Sequence, residues 1–159
     1  MNHSKVKEIT KLVVEECLRP SDDMTLFAAQ NLSRKVRNKA QEIGVKAVVA
    51  ISNKAAHPIL VECSDDALIG SYDIALNKAY TVVALKMSTK QLADLAKPGG
   101  SLYGIQFTNN GKIVVFGGGE VLTNKEGKII GGIGVSGGNE QQDTLLAKYA
   151  KEIFEKGAY

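Results

Sequence analysis

Ten of the sixteen glycines lie between Gly111 and Gly138, and this clustering most constrains the fold. Glycine is required where φ is positive or where another backbone or a ligand comes close. A stretch this dense in glycine cannot form a long helix. It reads instead as short strands joined by tight turns. Residues 128–136 alternate glycine with Ile and Val and read as a strand, and Gly137-Gly138 then turns the chain.

Helices flank this region. Apolar residues recur at helical spacing over 4–18, and Arg19-Pro20 stops that run. Thr25 is placed to cap a helix over 26–42, with Ala28, Ala29, Leu32, Val36 and Ala40 on one stripe and Gly44 beyond its end. Two β-branched runs, 45–52 and 58–63, surround a turn over 53–57 and predict a hairpin. The helical pattern returns over 65–85, and Ser88 or Thr89 caps a short helix that ends at Ala96 before Pro98-Gly99-Gly100. Residues 103–108 and 112–116 read as extended segments around Asn109-Asn110-Gly111. Asn139, with Gln142 three positions later, opens a last helix. The order predicts one mixed α/β domain over 1–159, a central antiparallel sheet flanked by helices. No βαβ unit repeats, so a dinucleotide fold is not expected.

Composition narrows the function classes. A net charge of +3, with basic residues spread along the chain, offers no nucleic-acid surface. Cys17 and Cys63 stand too far apart for a zinc or CxxC motif. Residues 1–10 are polar and no apolar run reaches membrane-spanning length, so a cytoplasmic protein with no membrane partner is expected.

Candidate functional positions are few. Gly117-Gly118-Gly119, Gly131 to Gly138 and the His57 hairpin are the stretches that could carry function, and backbone N–H groups at the helix start after Gly137-Gly138, with Ser136 beside them, can hold a carboxylate or phosphate. The competing reading is that these glycines serve turns and close helix-on-sheet packing. Neither run matches a P-loop or a dinucleotide fingerprint. His57 sits in the hairpin turn, where a histidine is ordinarily solvated. It is nonetheless a possible axial iron ligand, as are Met24, Cys63, Met87 and Tyr103. Asp143 reads as a first-turn acid that complements the positive end of its helix. No catalytic constellation is visible.

The segment Ser101-Leu-Tyr-Gly-Ile-Gln-Phe-Thr-Asn-Asn-Gly-Lys-Ile-Val-Val-Phe-Gly-Gly-Gly-Glu-Val-Leu122 resembles the carboxy-terminal domain of PduO proteins, within the GlcG/HbpS heme-binding family. So does Gly127-Lys-Ile-Ile-Gly-Gly-Ile-Gly-Val-Ser-Gly-Gly-Asn-Glu-Gln-Gln-Asp143. Met24-Thr-Leu, Ala47-Val-Val-Ala-Ile-Ser52 and Ala75-Leu-Asn-Lys-Ala-Tyr-Thr81 follow the family's order. The resemblance implies a profilin-like layered fold, a dimer-based homo-oligomer and heme as a cofactor. It also implies a noncatalytic accessory role in diol, glycerol or ethanolamine utilisation, sometimes beside bacterial microcompartments. The corrinoid adenosyltransferase domain of full PduO proteins has no counterpart in these residues, so transferase activity is not expected. Many relatives carry Asp-x-x-Gly where this chain has Asn53-Lys54-Ala55-Ala56 before His57. A structural or assembly module of a metabolic complex is the alternative, and an enzyme of heme or small-acid metabolism is the third reading.

Overall fold

The computed structural model describes residues 5–10 and 22–159. Residues 5–10 are helical; the rest of the helix expected over 4–18 lies outside the described residues. The following elements are α1 (Leu26–Glu42), β1 (Val48–Asn53), β2 (Pro58–Cys63), α2 (Ile69–Leu85), α3 (Thr89–Ala96), β3 (Gly119–Thr123), β4 (Ile129–Ser136) and α4 (Glu140–Glu155). The strands form one sheet in the order β2-β1-β4-β3, and every neighbouring pair is antiparallel.

The helix starts obey local chemistry. The Thr25 hydroxyl accepts from the Ala28 N–H, and Ser88 and Asn139 form capping boxes with Gln91 and Gln142. Each cap satisfies backbone donors that a helix start otherwise leaves open.

Helices cover both faces of the sheet. On one side, Leu32 and Val36 of α1 and Leu146 and Ala150 of α4 bury Val49, Ile51, Ile133 and Val135. On the other, Ala75 and Ala79 of α2 pack on Val48 and Ala50. Gly132 and Gly134 of β4 face α2. A Cβ built on Gly134 would stand 2.0 Å from the Ala75 carbonyl oxygen, and one on Gly132 would stand 2.5 Å from a Val82 methyl. Contacts that short are closer than atoms can approach, so the packing reading of the strand glycines holds there.

One expected pair of elements is corrected. Residues 103–108 and 112–116 are not strands. The chain makes two 3₁₀ turns, Ile105–Phe107 and Asn109–Gly111. Gly104, Asn109 and Asn110 take positive φ, and N–H groups of Ile105, Phe107, Thr108, Gly111 and Lys112 bond carbonyls three residues back. Short-range bonds therefore satisfy the backbone that a sheet ladder would have used. Val114 then donates its N–H to the Thr81 hydroxyl of α2 instead of to a strand.

Candidate functional site

Every stretch that carries the glycine motifs meets at Lys78. This lysine sits on the sheet-facing side of α2 and has no exposed surface. Its Nζ donates to the Val135 carbonyl at 2.8 Å and to Asp143 Oδ2 at 2.9 Å. The Phe116 ring lies over the same ammonium, 4.9 Å away at its centroid. Burial pushes the lysine below its ordinary pKa, while the Asp143 charge opposes that shift. Asp143 Oδ1 meanwhile accepts the Gly138 N–H at 2.9 Å. The acid at the start of α4 thus holds a buried cation as well as the helix end.

The glycine runs close around this pair. Gly118 has φ 111°, and a Cβ there would lie 2.5 Å from Lys78 Nζ. Its carbonyl accepts the Val135 N–H, Gly119 donates to the Thr89 hydroxyl, and Gly117 donates to Glu140 Oε1. The Lys90 ammonium, 2.9 Å from Glu140, holds that carboxyl below its usual range, with the Gly117 N–H adding to the effect. Ser136 donates to the Ser71 hydroxyl. The N–H groups of Gly117, Gly119 and Gly138 therefore have partners within the chain.

The iron-ligand candidates lie elsewhere. His57 is exposed at the tip of the β1–β2 hairpin. Asn53 Oδ1 accepts N–H groups from Ala55 and His57 there, and Asp23 Oδ1 accepts from Lys54. Asp23 also binds its neighbour's N–H, at Met24, so the hairpin tip and Met24 belong to one corner of the molecule. Buried Met24 borders a cleft of about 380 Å³ whose walls include Phe27, Ile130, Phe154 and Tyr159. The Phe154 and Tyr159 rings stack at 4.7 Å.

Two clusters result. Met24 lies against Gly131 at the start of β4, and Ser136 and Gly137 lie at its far end. Five residues of strand separate those ends by about 17 Å. Cys63 is exposed at the far end too, opposite Val48, while Met87 is half-buried between α2 and α3 and Tyr103 is exposed in the turn region. Among the described residues no three His, Cys, Asp or Glu side chains gather as a metal site. No helix among them is long and apolar enough to cross a membrane.

Lys78 is the residue that sequence reading missed. The available signal was a lysine in the apolar stripe of a helix, between Ala75 and Val82, where a charge is costly unless paired.

The fold and these motifs define a small layered α/β domain of the kind found in heme-associated proteins. Residues 24–152 match the family model described as "Haem degrading protein HbpS-like", and the chain belongs to that family. It is 45% identical over 134 residues to an uncharacterised 15.0 kDa protein in the dhaT-dhaS intergenic region of Citrobacter freundii, covering 84% of this chain and 93% of that protein. It is 34% identical to the corrinoid adenosyltransferase PduO of Salmonella typhimurium, with 97% of this chain matched to 47% of that protein. The chain thus spans about half of PduO. Among solved structures, Klebsiella pneumoniae protein ORFY superposes with a TM-score of 0.79 at 41% identity, covering 82% of this chain and 90% of that one. A PduOC:heme complex superposes at 0.78 with 36% identity, covering 82% and 94%.

Proposed function

We propose that this chain is a heme-binding accessory protein of a diol- or glycerol-type utilisation system, acting as a homo-oligomer. The observation that carries the reading is its likeness, at a TM-score of 0.78 and 36% identity, to a domain solved with heme. The cleft that Met24 borders suits such a ligand chemically, with His57 on the neighbouring hairpin tip and not among the residues that wall it. A thioether and an imidazole are both iron ligands, and the Phe27, Phe154 and Tyr159 rings give a flat macrocycle apolar walls. Lys125 at the rim offers a cation to a propionate. Heme, when bound, supplies an iron centre whose behaviour its axial ligand tunes.

Hemin titration of purified protein, followed in the Soret region, tests this. Saturable binding is expected, and its weakening in His57→Ala or Met24→Leu names the iron ligand. Binding that survives both substitutions moves the ligand to Cys63, Met87 or Tyr103. A protein that never saturates overturns the heme reading and puts an assembly module in front. The family description favours a second, enzymatic reading, heme breakdown. Under it, the bound Soret band decays in the presence of a reductant and air.

A further inference from the structure

Helix α4 ends in a glycine cap that turns the chain back over the cleft at Met24. Gly157 takes φ 65°, its N–H donates to the Phe154 carbonyl, and the Ala158 N–H reaches back to the Ile153 carbonyl at 2.8 Å. The next side chain, Tyr159, lands on Phe154, with the ring centroids 4.7 Å apart and the planes within 19° of parallel. Phe154 is left only 7% exposed, whereas Phe27, on another wall of the same cleft, stands 75% exposed. With the Tyr159 ring in place the cleft holds about 380 Å³, the small end of the range for ligand sites.

We propose that Tyr159 is the lid of this cleft. It holds the face of Phe154 while the cleft is empty, and it swings to the rim when a flat, largely apolar ligand stacks there instead. The proposal rests on the heme reading above and adds the step by which the site opens. Three features make the ring exchangeable. Its hydroxyl makes no hydrogen bond among the described residues, so no polar partner is stranded when it leaves. The torsions beyond the Ala158 N–H can turn with both cap bonds intact. A single aromatic stack contributes little, and a macrocycle reaching from Phe154 to Phe27 offers more flat area than one phenol ring. An aliphatic ligand of the same size cannot replace the lost stack, so the lid also selects for planarity.

Zinc protoporphyrin, a flat diamagnetic macrocycle, tests it. The wild type, Tyr159→Ala and Phe27→Ala are titrated by fluorescence, and fluorine NMR follows protein labelled with fluorotyrosine. The Tyr159 resonance is the one missing from Tyr159→Phe. Saturable binding is expected, about two- to tenfold tighter in Tyr159→Ala and weaker in Phe27→Ala. The Tyr159 resonance should move toward its solvent-exposed position at saturation. Binding that Tyr159→Ala leaves equal or weakens, or a Tyr159 resonance that stays in place at saturation, overturns the lid and leaves the heme reading standing. Binding indifferent to Phe27→Ala puts the macrocycle outside this cleft and overturns the lid with it. A macrocycle that saturates neither the wild type nor Tyr159→Ala overturns both readings.

Discussion

Lys78 and Asp143, 65 positions apart in sequence, form an ion pair of 2.9 Å with almost no exposed surface on either side chain. The pair ties α2 to the start of α4, and the Val135 carbonyl and Gly138 N–H complete its hydrogen bonds. A buried pair of this kind specifies an arrangement more than it stabilises one, because desolvation offsets much of the attraction. Removing one partner is different, since the other charge is then stranded.

Lys78→Met should therefore cost about 3–5 kcal/mol of unfolding free energy. The double variant Lys78→Met/Asp143→Leu removes both charges and should be less destabilised than the two single losses added together. Urea unfolding of the four proteins measures this coupling. Strictly additive losses would show that the two side chains do not act as a unit.

Two glycines of the same packed layers should respond in opposite directions. A Cβ on Gly134 meets the backbone of α2, so Gly134→Ala forces helix and sheet apart and should cost about 1–3 kcal/mol or more. Gly70, in the first turn of α2, has nothing within 4 Å of the same atom and no positive φ. Gly70→Ala should gain about 0.4–1 kcal/mol by restricting the unfolded chain. Thermal melts of the two variants give the comparison, and a destabilised Gly70→Ala would mean that this helix turn is not as open as its geometry indicates.

What the sequence made legible was local. Thr25, Ser88 and Asn139 announce their helices because a cap and its targets lie within three residues. The compact β-branched run of β1 and the glycines set among Ile and Val in β4 gave the strands for the same reason, and the glycine spacing pointed to close packing. Residues 103–116 misled because apolar, β-branched residues there satisfy a strand pattern. Gly104, Asn109 and Asn110 then bend the chain into turns held by bonds three residues long. The pairing of Lys78 with Asp143 stayed invisible because the two belong to different helices, and no spacing rule reaches across such a gap. The candidate ligands were legible as residue types, but their division between opposite ends of β4 depends on strand pairing that the pattern alone does not specify.

Glu120 gives the pH dependence its sign. It lies buried on β3 beneath α4, with Lys151 Nζ 3.6 Å away. Burial raises its pKa above the ordinary glutamate value of 4.5, and the Lys151 and Lys148 charges only partly reverse the shift. A carboxyl whose pKa is higher folded than unfolded keeps its proton longer in the folded state. Folding then binds protons between 4.5 and the raised value, so this group's contribution to stability falls as pH rises through that window. Glu120→Gln removes the ionisation while keeping the shape. It should leave stability nearly unchanged at pH 4 and raise it relative to wild type at pH 7, flattening the decline between them. Lys151→Met should steepen the same decline by removing the cation that favours the carboxylate. Urea midpoints of the three proteins between pH 4 and 8 decide the matter. A Glu120→Gln variant that loses stability at neutral pH would show that the Lys151 pair outweighs the cost of burying the charge.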